Sequence, residues 1–279
     1  MNRGILYLNV GDRYSVPLAV SLATLRQHCN APVLILCDRA AGRSTARLIA
    51  SDERLGPITV VSRPEIKGRF LQSPSWIYQL KTRLPLYSSF AETLILDSDT
   101  LVVGDISELW PQNPQEVVLT KRYGGRHQNL KARLRCQQWH TVDLQRALRA
   151  RDRSYKYPPI NTGIMGFGSD TEAFQREWRR MAAARPIHSC DEQAAQLIFP
   201  DFNCRLVDRR FNASTAFDRN TPDVRIWHGV GHRFFLKDKD LWLPHFARAA
   251  KQNFGNVLEL VDTMRWSGQM MRHLWRAMK

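Results

Sequence analysis

Short apolar runs alternate with longer helical patterns through most of the chain. The runs Ile5–Leu8, Val33–Cys37 and Ile58–Val61 have the length and composition of strands. Apolar residues recur at helical spacing between them, which predicts helices over Ser15–Cys29 and Ser44–Leu55. Strands that alternate with helices are typical of a sheet that is mostly parallel and covered by helices on its faces.

The same alternation continues into the second half of the chain. It predicts a helix from Ser75 towards Phe90 that Pro85 should divide. Two further helices are predicted, at Thr171–Ala184 and Cys190–Phe199. Strands are predicted at Leu94–Leu96, Glu116–Thr120 and Ile160–Phe167, and near Leu206–Val207 and Val224–His228. The fold class expected from this pattern is α/β, with a mostly parallel central sheet flanked by helices.

Two carboxylates, Asp97 and Asp99, follow the apolar run Leu94–Leu96 and are separated only by Ser98. If the strand continued, residues i and i+2 would point to the same face, where two like charges repel and lose hydration. A divalent cation with a phosphate-bearing ligand would relieve both problems, because hard cations prefer oxygen ligands. Aspartates are also common in ordinary turns, so the pair alone leaves a purely structural turn open.

Composition sets limits on the class of protein. With 279 residues, 43% of them hydrophobic, the chain can bury a full core in one large domain with a small appendage. No apolar run reaches the ~18 residues of a membrane span, and the first residues lack the apolar core of a signal peptide. The five cysteines are scattered without a C-x-x-C pair, which favours reduced thiols and a cytoplasmic location.

The net charge of +15 indicates an anionic partner: a nucleic acid, an anionic substrate or an anionic membrane surface. Basic residues are concentrated in segment 121–157, which we expect to be an insert in a main domain spanning residues 1–235. Residues 236–279 are expected to form a basic, amphipathic helical extension. Such a helix could hold the protein peripherally on the inner face of a membrane, or could pack on the main domain.

Several separated landmarks then occur in a recognisable order. They are Tyr14, Lys81, Asp97-Ser98-Asp99 within "LILDSDTLVVGDISELW", Asn161-Thr162-Gly163 within "NTGIMGF", Asp191-Glu192-Gln193, and His228. Over roughly residues 5–233 this set resembles the retaining GT-A glycosyltransferases of glycosyltransferase family 8, the group that contains glycogenin and bacterial lipopolysaccharide galactosyl- and glucosyltransferases. The resemblance implies the GT-A fold of enzymes that use nucleotide-diphospho-sugars.

The resemblance also implies roles for individual residues. Asp97, Asp99 and His228 would bind a Mn²⁺ or Mg²⁺ ion that bridges the diphosphate of the donor. The residues that would contact the nucleotide sugar are Asp12, Tyr14, Lys81, Ser98, Asn161, Gly163, Gly231 and Arg233. The family commonly has an acidic residue near Gly11, where this chain has Asp12 one position later, and the basic residue of its C-terminal motif falls one position early at Arg233.

Asp191 and Glu192 are the catalytic candidates by the same resemblance, with Asp191 binding a sugar hydroxyl. Glu192 would be a nucleophile or would stabilise an oxocarbenium ion, where the family often carries an amide. The implied reaction is the metal-dependent transfer of a hexose from a nucleotide sugar, expected to be a UDP-sugar, with retention of configuration. The implied acceptor is a saccharide, a lipopolysaccharide or a lipid-linked sugar. Residues 1–235 would then be the catalytic domain, with the basic insert at about 121–157 on its acceptor side.

Two other classes of protein share parts of this pattern. Phosphatases of the haloacid-dehalogenase type also place Asp-x-Asp after an apolar strand, but their motif continues to Thr or Val where this chain has Leu101. A basic nucleic-acid-binding protein would account for the charge and for the aromatic residues of segment 121–157. No helix-turn-helix, zinc-finger or RNP-like pattern supports that class, so no nucleic-acid partner is expected.

Overall fold

The structure, a computed structural model, describes residues 2–10, 15–37, 46–47, 49–51, 53–62, 76–122, 158–184, 190–214 and 218–229. The chain divides into two compact units. We call them the Asp97 unit, which comprises Arg3–Gly68, Leu96–Ser107 and Ala213–Lys279, and the Glu192 unit, which comprises Met1–Asn2, Arg69–Ile95 and Glu108–Asn212. Each candidate carboxylate pair therefore lies within one unit.

Three parallel strands form the framework of the Asp97 unit, in the order β3-β2-β1. They are β1 (Arg3–Asn9), β2 (Val33–Cys37) and β3 (Ile58–Ser62). Helix α1 (Ser15–Leu25) follows β1, and Leu18 and Leu22 on it are fully buried. A small sheet of β5 (Thr100–Val102), β10 (Ile226–His228) and β9 (Ala213–Ser214) has the order β5-β10-β9, and α1 packs against β5.

Within its described residues, the Glu192 unit contains the strand order β4-β7-β6-β8 and three α-helices. In chain order its elements are α2 (Trp76–Lys81), β4 (Glu92–Leu96, whose last residue falls in the Asp97 unit), β6 (Val117–Lys121), β7 (Ile160–Phe167), α3 (Glu172–Ala183), α4 (Cys190–Ile198) and β8 (Cys204–Val207). Strands β6 and β8 are parallel, whereas β6 and β7 are antiparallel. Helix α4 packs on both β7 and α3.

An aromatic cluster forms the core beneath α3 and α4. Phe167, Phe174 and Trp178 are at most 2% exposed, and their ring centroids lie 6.0–6.3 Å apart. The indole nitrogen of Trp178 donates to the backbone oxygen of Asp191 at 2.8 Å. The apolar core therefore fixes the first turn of α4, where the Asp191-Glu192 pair lies.

The expected fold class is confirmed: the structure is mixed α/β with a mostly parallel sheet flanked by helices. Pro85 does divide the predicted helix, because α2 ends at Lys81 and a short 3₁₀ helix covers Leu84–Tyr87. Residues 46–47 and 49–50 are helical, as expected within Ser44–Leu55. Among the described residues, no helix combines the length and apolar composition needed to cross a membrane. The expected insert and the C-terminal extension lie outside the described residues, apart from 121–122.

One local expectation is wrong. Asp97 and Asp99 are not on a continuing strand, because β4 ends at Leu96 and residues 97–99 form a turn before β5 begins at Thr100. The two carboxylates are brought together by this turn and not by strand alternation.

Candidate active site

Hydrogen bonds to backbone atoms fix the turn that carries Asp97 and Asp99. The backbone nitrogen and the hydroxyl of Thr100 both donate to the Asp97 carbonyl oxygen, at 3.2 and 2.8 Å. The Ser98 hydroxyl donates to the carbonyl oxygen of Leu8 at the end of β1, at 2.8 Å. The Gly229 nitrogen donates to the Asp99 carbonyl oxygen at 2.9 Å. Each residue of Asp97-Ser98-Asp99 is therefore tied to a different part of the Asp97 unit.

A chain of buried hydroxyls supports the same turn. The Tyr7 hydroxyl lies 2.9 Å from that of Ser21, which lies 2.8 Å from that of Thr100. Because Thr100 donates to Asp97, its oxygen accepts from Ser21, and Ser21 in turn accepts from Tyr7. Burial raises the pKa of Tyr7 well above its ordinary value, so the phenol stays protonated and can donate.

Strand pairing places the third metal-ligand candidate. β10 runs antiparallel to β5, and His228 is the register partner of Thr100, the residue that follows Asp99. The Nε2 atom of His228 lies 3.4 Å from Asp97 Oδ2 and 3.4 Å from Asp99 Oδ1. One ligand atom from each of the three side chains lies within 4.8 Å of the others. The structure thus brings together residues that are more than 120 positions apart in the sequence.

The two carboxylates favour the protonated form of His228. Burial alone would lower the pKa of His228, but the nearby carboxylates of Asp99 and Asp97 outweigh it and raise the pKa to about 10. A proton on His228 therefore neutralises part of the charge of the two acids. Two carboxylate oxygens and an imidazole nitrogen are a suitable donor set for Mn²⁺, so the residues present fit a divalent cation that would replace this proton.

A register shift in β7 shapes the other candidate group, in the Glu192 unit. Leu119 of β6 is paired with Met165, but the next residue, Thr120, is paired with Asn161. The extra residues on β7 form a bulge, and the Thr120 hydroxyl lies 3.1 Å from the carbonyl oxygen of Asn161 and 3.2 Å from that of Ile164. Strands normally send successive side chains to opposite faces, whereas here Asn161 and Thr162 both contact α4.

Asp191, at the start of α4, is held inside the protein. It is 1% exposed, and its Oδ2 accepts a hydrogen bond from the Thr162 hydroxyl at 2.6 Å. The Lys81 ammonium of α2 lies 3.8 Å from the same oxygen. Both contacts stabilise the carboxylate, and together with the bond from Trp178 they join α2, α3, α4 and β7 at one residue.

Glu192 has both carboxylate oxygens engaged. Its Oε2 accepts from Arg122 at 2.9 Å, and its Oε1 accepts from the Asn161 amide at 2.5 Å. The Glu192 side chain is 16% exposed and that of Arg122 is 44% exposed, so this group lies closer to solvent than Asp191 does. Two further side chains hold the strand itself: Gln196 accepts from the Ile160 nitrogen at 2.8 Å, and Asn212 donates to Asn161 Oδ1 at 3.0 Å.

Of the thirteen predicted site residues, the described part of the chain includes nine, and these nine fall into two groups. One group is Asp97, Ser98, Asp99 and His228; the other is Lys81, Asn161, Gly163, Asp191 and Glu192. Asp12, Tyr14, Gly231 and Arg233 lie outside the described residues. Asn161 contacts Glu192, and the Gly163 nitrogen donates to Asn161 Oδ1 at 2.8 Å. Direct contacts of these residues with a sugar remain predictions.

Sequence reasoning missed three members of the second group. Arg122 was one of many basic residues in segment 121–157, and nothing in that run distinguishes it. Neither Thr120 nor Asn212 belongs to a motif that indicates a catalytic or sugar-binding role. Only the neighbouring pattern, with Asn161 and Thr162 opposite two acids, could have indicated that the strand needs further polar support.

The chain matches no protein-family model, and no curated protein matches it in sequence. Among solved structures it is similar to the galactosyltransferase LgtC in complex with donor and acceptor sugar analogs, with 14% identity, a TM-score of 0.60, and coverage of 99% of this chain and 100% of that one. It is also similar to mouse xyloside xylosyltransferase 1, with 12% identity, a TM-score of 0.53, and coverage of 82% and 98%.

A third similar structure is the glycosyltransferase GlyE of Streptococcus pneumoniae TIGR4, with 12% identity and a TM-score of 0.57. All of this chain is covered in that match, but only 64% of GlyE. Identities this low show the fold alone. The chain therefore has the GT-A fold expected from its resemblance to family 8, and its activity has to be argued from its own residues.

Proposed function

We propose that this protein is a metal-dependent glycosyltransferase that moves a hexose from a nucleotide sugar to a saccharide or lipid-linked acceptor, with retention of configuration. The observation that carries the proposal is the convergence of Asp97, Asp99 and His228 within 4.8 Å in a chain with the GT-A fold. A Mn²⁺ or Mg²⁺ ion bound by these side chains would neutralise charge on the donor diphosphate as it departs. Uridine is the base that the family resemblance favours.

The protein groups around Glu192 have their own part in the proposed reaction. Arg122 and Asn161 stabilise the ionised carboxylate, which suits it to face the positive charge that develops at the anomeric carbon. Because both of its oxygens accept hydrogen bonds, the geometry favours electrostatic stabilisation over bond formation to the sugar. A double displacement through Glu192 would require one of these two contacts to break first.

Asp191 is proposed to fix α4 in place as well as to bind a sugar hydroxyl. The exposure of 1% supports the anchoring role, since Thr162 and Lys81 already face its carboxylate. Lys81, proposed earlier for donor binding, would then act partly through Asp191. The two roles can be separated, because loss of an anchor lowers thermal stability whereas loss of a sugar contact raises KM for the donor.

The test is a panel of nucleotide sugars incubated with the purified protein, Mn²⁺ and candidate acceptors, with release of nucleoside diphosphate as the readout. We expect turnover with one or a few UDP-sugars, loss of turnover in excess EDTA, and recovery when Mn²⁺ is restored. NMR of the product should show the anomeric configuration of the donor. Full activity in EDTA, or phosphate release without any nucleotide sugar, would overturn the proposal.

We also propose that the protein works at an anionic surface, on the cytoplasmic side of a membrane where lipid-linked or lipopolysaccharide acceptors are made. This proposal is supported by the net charge of +15 and the amphipathic pattern of residues 236–279. Flotation with liposomes that contain anionic lipid should retain the protein at low salt and release it at high salt. Equal recovery with neutral and anionic liposomes would contradict it.

A further inference from the structure

A buried asparagine that no part of the proposed reaction uses lies next to the Glu192 group. Asn212 is 4% exposed and precedes β9. Its side-chain nitrogen makes two hydrogen bonds, to Thr120 Oγ1 at 2.6 Å and to Asn161 Oδ1 at 3.0 Å. An amide nitrogen carries two hydrogens, so both of its donors are used.

These contacts determine which end of the Asn161 amide faces Glu192. The backbone nitrogen of Gly163 can only donate, so the Asn161 atom that it contacts at 2.8 Å must be the oxygen. Asn212 donates to the same oxygen, which directs the Asn161 nitrogen towards Glu192 Oε1. If the Asn161 amide rotated by half a turn, its oxygen would face the Glu192 carboxylate and repel it.

We propose that Asn212 is a positioning residue, which holds the Asn161 amide in the one orientation that stabilises ionised Glu192. The inference rests on the proposed role of Glu192 in sugar transfer. Asn212 itself touches neither the sugar nor the metal in this scheme. It acts through Asn161, and its second hydrogen bond goes to the Thr120 hydroxyl beside the bulge of β7.

The test is Asn212→Asp, which keeps the shape of the side chain and removes both donors. A carboxylate beside Asn161 Oδ1 would reverse the Asn161 amide, and Glu192 would lose a hydrogen bond and gain a repulsive oxygen. We expect the pKa of Glu192, followed by NMR of ¹³C-labelled carboxyl groups, to rise by about one unit or more relative to the unchanged chain. A pKa of Glu192 within about 0.2 units of the unchanged chain, in a folded variant, would overturn the inference.

Two matched variants separate positioning from loss of stability. In Asn203→Asp the same substitution removes an exposed amide that donates to Asn113 Oδ1 at 3.0 Å, so it should leave the pKa of Glu192 unchanged. In Thr120→Val the hydroxyl that accepts from Asn212 is lost, but the Asn212–Asn161 bond remains. We expect a lower melting temperature without a shift in the pKa of Glu192. An equal pKa shift in Thr120→Val and Asn212→Asp would mean general loosening and would overturn the inference.

A further measurement covers the case in which Asn212→Asp does not fold. In the unchanged chain with ¹⁵N-labelled asparagine, the side-chain amide signals of Asn161 and Asn212 should both shift as Glu192 titrates. If neither signal follows Glu192, the proposed coupling is absent.

The NMR experiments need no substrate, so their failure is distinct from failure of the proposed function. Where transfer is measurable, Asn212→Asp should lower kcat by about tenfold with little change in donor KM. The acidic limb of the pH–rate profile should move to higher pH by as many units as the pKa of Glu192 rises in the NMR titration. Loss of kcat without a moved pH limb would show a merely structural role and would overturn the inference.

Discussion

The two acid pairs of this protein have the same formal charge and opposite surroundings. Asp97 and Asp99 each have a carboxylate oxygen 3.4 Å from the Nε2 atom of His228, and the two carboxylates raise the pKa of this histidine to about 10. Asp191 and Glu192 face two permanent cations, since Lys81 lies 3.8 Å from Asp191 and Arg122 lies 2.9 Å from Glu192. One pair therefore faces a partner that can lose its proton and bind a metal, whereas the other faces cations that keep their charge near neutral pH. The chemistry available to a short acidic motif depends on which cationic side chains the fold places next to it.

The largest effect is expected from Asp97→Asn or Asp99→Asn, because either change removes a negatively charged ligand from the proposed metal site. Mn²⁺ affinity, measured by titration calorimetry, should fall by more than about 100-fold, beyond the usual effect of partners that only support a ligand. Without metal, the variants should still fold, with a melting temperature lowered by the weaker contact with protonated His228. The control is Asp105→Asn, in the same unit, where hydrogen bonds from Ser107 lower the pKa of an exposed carboxylate. Unchanged Mn²⁺ affinity in both ligand variants would remove the basis of the comparison.

The next effect concerns the pair of Asp191 and Glu192. Glu192→Gln keeps the size of the side chain and removes the charge, so transfer should fall by roughly 100-fold or more while donor affinity and Mn²⁺ affinity hold. Asp191→Asn should instead lower the free energy of unfolding by about 1–3 kcal/mol, since it disturbs a buried carboxylate that accepts from Thr162. Near-normal transfer by Glu192→Gln would mean that Glu192 acts only as a favourable negative charge at the N-terminus of α4.

At the Asp97–Asp99 pair, pH should have a moderate effect on stability and on metal affinity, through the titration of His228. The pKa of His228 is raised from 6.5 to about 10, so protonated His228 stabilises the metal-free fold. That contribution is fully present below about pH 6.5 and is lost as the pH rises through about 10. Metal binding needs neutral imidazole, so about one proton should be released per ion, and affinity should rise up to about tenfold per pH unit above neutrality.

Calorimetric titration with Mn²⁺ in two buffers of different ionisation enthalpy measures this proton release. His228→Ala should abolish it together with most of the affinity. If the unchanged chain binds Mn²⁺ near neutral pH without releasing a proton, His228 is neutral before the metal arrives and the two carboxylates do not hold its proton.

The smallest effects should come from the hydroxyls that anchor each pair. Thr162→Val removes the donor to Asp191 and should cost about 1–2 kcal/mol of unfolding free energy with no change in Mn²⁺ affinity. Ser98→Ala removes the donor to Leu8 and should cost about 1 kcal/mol, with a Mn²⁺ affinity within a few-fold of the unchanged chain. A larger loss of Mn²⁺ affinity in Thr162→Val than in Ser98→Ala would contradict the independence of the two groups.

The main elements could be predicted from the sequence because their patterns are local. Apolar runs such as Val33–Cys37 are buried throughout, and Pro85 lacks the backbone N–H that a continuous helix needs. The ordered landmarks indicated that His228 belongs with Asp97 and Asp99, and the structure does place them together. Metal binding by them remains a prediction.

The remaining features depend on long-range pairing that no local pattern encodes. The register shift opposite Thr120 arises where β6 meets β7, and it decides which β7 side chains reach α4. Arg122 is identified by its contact with Glu192, and no sequence pattern marks it. The turn at residues 97–99 also differs from the expected strand, because the hydrogen bonds that make it come from Thr100, Ser98 and Gly229.

The burial of Asn212 has a practical consequence for producing the protein. Asn212-Ala213-Ser214 matches the acceptor sequence for N-glycosylation in a eukaryotic secretory pathway. A glycan would replace one hydrogen on the nitrogen that donates to both Thr120 and Asn161, and a side chain that is 4% exposed leaves no room for it. In chains that are glycosylated at Asn212 during translocation, the hydrogen bonds from Asn212 to Thr120 and Asn161 at the β7 bulge could not both form. Bacterial expression, or secretion of a Ser214→Ala variant, should therefore give folded protein where secretion of the unchanged sequence does not.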